Sequence, residues 1–151
     1  MLVYYVTFVL IAIFACAAQY YFPTKCIIGG ENQWHTKNIA VWLVAIPLVF
    51  FAGFRYQVGS DWYYYFSWTH QQFSYYLSQS LSESGWKIIG YIATLIVDKR
   101  GSAMFFAALI TIVLYIRTIA KYSANFTLSI ILYFFLVWHG CFNGVRQYLA
   151  A

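Results

Sequence analysis

The sequence predicts an all-α fold: a polytopic transmembrane helical bundle with about five spans in 151 residues. Three observations carry this. Apolar residues make up 63% of the chain and charged residues only 9%, where a soluble domain carries about 25%. Nine Lys and Arg with four Asp and Glu cannot cover a water-facing surface, so lipid must solvate most of the exterior. The few charges stand mostly at the ends of long uncharged runs, and the mean hydropathy is +0.66.

Residues 2–22 are charge-free and match the roughly 20 apolar residues that a span needs. A cleaved signal peptide is the competing reading. It wants a basic start and a shorter apolar core, so a retained helix stopped by Pro23 fits better. Residues 23–37, with Lys25, Gly29-Gly30, Glu31 and Lys37, read as a short polar loop. Residues 38–54 are the second span, bounded by Arg55. Its Pro47 is tolerable because neighbouring groups in a membrane re-satisfy the freed carbonyl.

Residues 55–83 form the longest non-spanning stretch, rich in Tyr, Trp, Ser and Gln. They are too aromatic for a flexible linker and are expected to fold at the membrane interface, with a short helix. Residues 84–97 are a weak third span. At about fourteen residues they leave a tilted or re-entrant segment open. Lys87 is expected to snorkel to the surface from the first turn. Asp98-Lys99-Arg100-Gly101 makes a tight charged turn, 102–116 is the fourth span, bounded by Arg117, and 125–145 is the fifth. Residues 1–151 thus read as one membrane domain.

The net charge of +5 is scattered rather than clustered, which argues against nucleic acid and for topology anchors and anionic-lipid contacts. Cys16, Cys26 and Cys141 have no metal-ligand spacing, so neither a disulfide framework nor a metal site is expected, and no cofactor. Basic residues balance across the two faces of a five-span arrangement. The turn at 98–101 favours placing that turn in the cytoplasm, with the 55–83 stretch and the N-terminus outside.

Arg55-Tyr56-Gln57-Val58-Gly59-Ser60-Asp61 is the most informative segment. A guanidinium offers a planar fork of donors suited to phosphate oxygens. Gly59 lets the backbone approach a ligand closely. Asp61 is placed to orient Arg55 or to take a proton from a hydroxyl. The plainer reading is an anchor arginine paired with an interfacial aspartate. Arg146 follows an uncharged run from Tyr122 to Val145. It is either an intramembrane charge, which is a functional hypothesis by default, or a helix-end anchor. Trp62, Tyr63, Tyr64, Tyr65, Trp68, Tyr75 and Tyr76 read as a membrane-surface aromatic belt or as a platform for sugar rings. His35, His70 and His139 are far apart and read as packing or surface residues.

These motifs resemble the EpsG-type polysaccharide polymerases, relatives of the Wzy-like capsule and O-antigen polymerases. Phe54-Arg55-Tyr56-Gln57-Val58-Gly59-Ser60-Asp61 with Tyr63 to Tyr65 is similar to the family's early signature. Glu83-Ser84-Gly85-Trp86 resembles its Glu-Pro-Gly-like helix start, with Ser84 in place of proline. Phe142-Asn143-Gly144-Val145-Arg146-Gln147-Tyr148-Leu149-Ala150 resembles its Asn-x-x-Arg-Gln-x-x-Ala segment.

The resemblance implies an inverting glycosyl transfer in exopolysaccharide or capsule biosynthesis, at the outer face of a bacterial inner membrane. The implied substrates are undecaprenyl-diphosphate-linked oligosaccharide repeats. Membrane lipid and other polysaccharide-assembly membrane proteins are the implied partners. Arg55 and Arg146 would take the diphosphate. Asp61, or else Glu83, would be the base. Gly59, Tyr63, Tyr65 and Gln147 would complete substrate binding. A lipid-linked sugar flippase or other transporter, and a non-catalytic accessory subunit, are the alternatives. The chain matches only the N-terminal part of the longer family members, so alone it is expected to insert into a membrane without polymerising. One conflict follows from five spans: Arg55 lies outside and Arg146 inside. A re-entrant 84–97 brings both outside.

Overall fold

The computed structural model describes residues 2–28, 31–36, 38–54, 62–79 and 84–138. The chain divides into two compact units, Met1–Val49 with Ile112–Trp138, and Phe50–Thr111 with His139–Ala151.

The first unit opens with α1 (Leu2–Tyr21), twenty residues with neither Gly nor Pro. Its buried face is Thr7, Ile11, Ala15 and Ala18, the i, i+4, i+8, i+11 stripe of a helix packed on one side. Its partner is α7 (Phe126–Tyr133), which continues into a π-helical stretch, Phe134–Trp138. Asn125 starts α7, its side chain accepting the Leu128 N–H at 3.1 Å. The two helices run antiparallel. Tyr4 meets Trp138 edge-on at 6.4 Å and Phe8 packs on Phe134 at 5.6 Å. At the other end Gln19 Oε1 accepts the Thr127 N–H at 2.9 Å, and the Thr127 hydroxyl donates to the Ala15 carbonyl. Gln19 thus satisfies one of the orphan donors in the first turn of α7.

Within residues 23–37, read from sequence as a polar loop, 23–28 and 31–36 pair instead as antiparallel strands. Strand β1 (Pro23–Ile28) runs against β2 (Glu31–Thr36), with Pro23 opposite Thr36 and Ile28 opposite Glu31. A Gly-Gly dipeptide between two short segments is a hairpin signal that the loop reading passed over. Helix α2 (Asn38–Gly53) follows, burying Val41, Val44, Ala45 and Leu48 at helical spacing.

The fold is otherwise helical, but five spans are not what its described lengths support. Two helices among the described residues are long and apolar enough to cross a membrane. One is α1, over Tyr4–Tyr21 with mean hydropathy 1.5. The other is α6 (Ser102–Tyr122), with mean hydropathy 2.1. Helix α6 runs past its expected end at Ile116 and carries Arg117 and Lys121 exposed on its last turns. Long basic side chains reach out of an apolar setting without ending the helix. Helix α5 (Ser84–Ile96) has only 13 residues. At about 1.5 Å per residue it rises roughly 20 Å, short of the ~30 Å hydrocarbon layer.

In the second unit, the expected interfacial stretch forms two helices, α3 (Trp62–Phe66) and α4 (His70–Gln79). Helix α4 lies antiparallel on α5, which three contacts along its length show. At the start of α4, the His70 N–H donates to Asp98 Oδ1 at 2.7 Å. Midway, the Phe73 ring fills the space that a side chain on Gly90 would need. Further on, the Lys87 ammonium sits 4.6 Å from the centre of the Tyr76 ring.

The Gly101 N–H then donates to the Phe66 carbonyl at 3.0 Å, with Gly101 at φ +85°. The 62–70 segment and the 98–101 turn, expected on opposite membrane faces, therefore meet. The end of α2 joins them: Phe54 packs on Phe105 at 5.2 Å, and a Cβ on Gly53 would lie 2.6 Å from that ring.

Candidate functional site

The core of the second unit is where the sequence motifs and the structure intersect. Trp62, Tyr65, Phe73, Trp86, Ala103, Met104 and Ala107 are buried together. Trp86 is the hub, edge-on to Tyr65 at 5.1 Å and to Phe73 at 5.7 Å. Small residues on α6 leave room for these rings. Helix α5 turns Trp86, Lys87, Gly90, Ala93 and Thr94 inward, a helical stripe that α4 covers.

Of the residues that the sequence singled out, Arg55, Gly59, Asp61, Glu83, Arg146 and Gln147 lie outside the described residues. Tyr63 and Tyr65 are described, and α3 sends them in opposite directions. Tyr63 is 78% exposed, while Tyr65 is 1% exposed and packs on Trp86. Tyr63 presents a ring to the surroundings; Tyr65 braces α3 from beneath. The aromatic residues of this stretch accordingly do two jobs. Trp62, Tyr65 and Phe73 form core, whereas Tyr63, Tyr64 and Tyr75 stay exposed.

Lys87 departs from expectation. It does not reach the surface but is 2% exposed, with the Tyr76 ring against its ammonium. The reason is that α4 folds back over the face of α5 that carries it. A lysine in an apolar helix was legible as unusual in the sequence. The rule that marked Arg146 as an intramembrane charge applies equally to Lys87.

Beyond Tyr76 the rings continue as a row. Tyr76 is edge-on to Trp68 at 5.0 Å, and Trp68 is edge-on to Tyr64 at 5.3 Å. Helix α4 exposes Gln71, Gln72, Ser74 and Ser78. Gln72 reaches back to the Thr69 N–H at 2.9 Å, which closes the start of α4. This unit therefore brings exposed rings, amides and hydroxyls together over a buried cation. The other unit holds an open groove of about 910 Å³ lined in part by Gln19, Asn125 and Thr127, distinct from the motif residues.

The model of the EpsG family matches residues 38–151, about three quarters of the chain. The chain belongs to the EpsG family. That match begins with α2 and takes in α3 to α7, together with the three motifs on which the resemblance rests. No curated protein and no solved structure matches. EpsG membership together with two helices long and apolar enough to span makes this a membrane protein of polysaccharide biosynthesis.

Proposed function

We propose that this protein is a polysaccharide polymerase of the bacterial cytoplasmic membrane, joining undecaprenyl-diphosphate-linked oligosaccharide repeats. The observation that carries the reading is the EpsG family match over residues 38–151. In the proposed reaction an acceptor hydroxyl attacks the anomeric carbon of the donor glycan. The bond from that carbon to the diphosphate oxygen breaks, and the diphosphate leaves with the electron pair. Asp61, or Glu83, takes the hydroxyl proton. Arg55 and Arg146 bear the charge that develops on the diphosphate, the kind of stabilisation that is often the largest catalytic contribution. Gly59 keeps the backbone close to the ligand, Gln147 adds a polar contact, and Tyr63 offers a ring to the glycan.

The packing of α4 on α5 supports a topology for this reading. Helix α5 is too short to cross, and its far end returns to Phe66 and His70. The α4–α5 pair is then a re-entrant hairpin, dipping in and returning to the face where α2 ends and α6 begins. A re-entrant α4–α5 pair is the condition under which the sequence reading brings Arg55 and Arg146 to one side.

The test is loss of the gene at its native locus. Single repeats on the lipid carrier should accumulate at the outer face while long glycan disappears. Repeats held at the inner face would point to a flippase. Unchanged chain length would leave an accessory role.

A further inference from the structure

We propose that the ring row Tyr64–Trp68–Tyr76 is a saccharide-binding subsite and that Lys87 positions it. This rests on the polymerase reading for its ligand, the uncharged part of a glycan, but not for its geometry. The row has three links: Tyr64 to Trp68 at 5.3 Å, Trp68 to Tyr76 at 5.0 Å, and Tyr76 to the Lys87 ammonium at 4.6 Å. Phe73 backs Trp68 at 4.7 Å.

The exposed end is Tyr64, 46% exposed, and the deep end is Lys87, 2% exposed. A ring in a membrane-surface belt needs only to reach the headgroups. Here the two inner rings are half-buried, set edge-on in sequence and fixed from below by an ammonium on a ring face. That order serves a ligand which must meet Tyr64 in one orientation.

The surroundings select the ligand class. Residues 62–82 contain no Asp, Glu, Lys or Arg; Lys87 and Asp98, which reach this stretch from α5 and the turn after it, are engaged by the Tyr76 ring and the His70 N–H, so the row's own exposed side chains carry no charge. What this stretch exposes is aromatic rings with the side chains of Gln71 and Gln72 on α4. Flat rings meet the C–H face of a sugar, and amides meet its hydroxyls. Lys87 touches no sugar in this arrangement. It acts through Tyr76, whose ring it holds in place for Trp68 and hence Tyr64.

The test uses the purified protein expressed in full from its native gene. The probe is the repeat-unit oligosaccharide, freed from its lipid carrier by mild acid and titrated while tryptophan fluorescence is followed. Tyr64→Ala should weaken binding by about tenfold, the loss of one ring contact. Tyr64→Leu, which keeps bulk but loses the ring, should do the same, and Tyr64→Phe should bind as wild type. Lys87→Met should weaken binding comparably, and Lys87→Arg should restore it, because a guanidinium also sits on a ring face. In polymerisation assays the same variants should raise KM for lipid-linked repeat with kcat within about twofold.

Unchanged affinity in both Tyr64→Ala and Tyr64→Leu would overturn the subsite, as would a wild-type protein that does not bind the oligosaccharide. Binding lost with Tyr64 in a protein that forms no polymer would uphold the subsite and remove the polymerase reading instead.

Discussion

Gly90 is the position at which the second unit has the least room. Phe73 is fully buried, and its ring occupies the volume that a Cβ on Gly90 would enter. Gly90→Ala gains about 1 kcal/mol of helix propensity. Overpacking in a tight core costs about 1–3 kcal/mol, and this contact is far closer than real Cβ atoms show, which puts it near the upper end. The net expectation is destabilisation by about 1–2 kcal/mol, or roughly 2–8 °C in melting temperature for a chain of this size. Gly85 on the same helix supplies the control, since nothing lies within 4 Å of a Cβ there. Gly85→Ala should be neutral or slightly stabilising. Thermal melts of detergent-solubilised protein compare the two. The Phe73→Leu change should cost less in the Gly90→Ala background than alone, because the smaller residue relieves the clash, and that coupling identifies the pair. A Gly90→Ala protein as stable as Gly85→Ala would refute the packing of α4 against α5.

Three further outcomes are expected. Asp98→Ala removes the acceptor for the His70 N–H and should cost about 0.5–2 kcal/mol, as the loss of a helix cap does, read as a lower melting temperature. Single cysteines at Ser67 and Arg100, in a background lacking the native three, should react with an impermeant thiol reagent from the same side; labelling from opposite faces would restore α5 as a crossing helix. Arg55→Lys should lower polymer synthesis by about 10²–10³ at unchanged protein level, because lysine keeps the charge and loses the bidentate fork. Normal chain length in that variant would reduce Arg55 to an anchor.

How much of this was legible in the sequence depends on what each signal measures. Uncharged runs locate helices well, because a lipid-facing backbone must satisfy its own hydrogen bonds. The runs beginning at Leu2, Asn38, Ser84, Ser102 and Asn125 all gave helices, the last starting one residue on with Asn125 as its cap. Charge does not mark where a helix ends, and α6 carried Arg117 inside it. Nor does local pattern reveal which helices lie side by side. Gln19 capping α7 and Asp98 capping α4 are tertiary contacts 108 and 28 residues apart in sequence. The aromatic stretch was legible as ordered but not as split between core and surface. Neighbouring tyrosines, Tyr63 to Tyr65, point different ways on a helix, and only the helix phase separates exposed from buried.

The division of labour in the second unit follows from one geometric fact, that Phe66 and Gly101 share a hydrogen bond. Were residues 84–97 a crossing helix, those two groups would stand on opposite sides of the hydrocarbon layer, about 30 Å apart. A hydrogen bond of 3.0 Å between them is incompatible with that separation. The hairpin then has one polar arm, α4, and one apolar arm, α5, whose Ile88, Ile92, Leu95 and Ile96 remain exposed. Lipid suits those four side chains. Exposed amides and hydroxyls on α4 do not suit lipid, and within a membrane such groups are tolerated where they face a watery cavity or another part of the protein. The hairpin is thus divided between an apolar arm suited to lipid and an arm whose Gln71, Gln72, Ser74 and Ser78 suit polar surroundings.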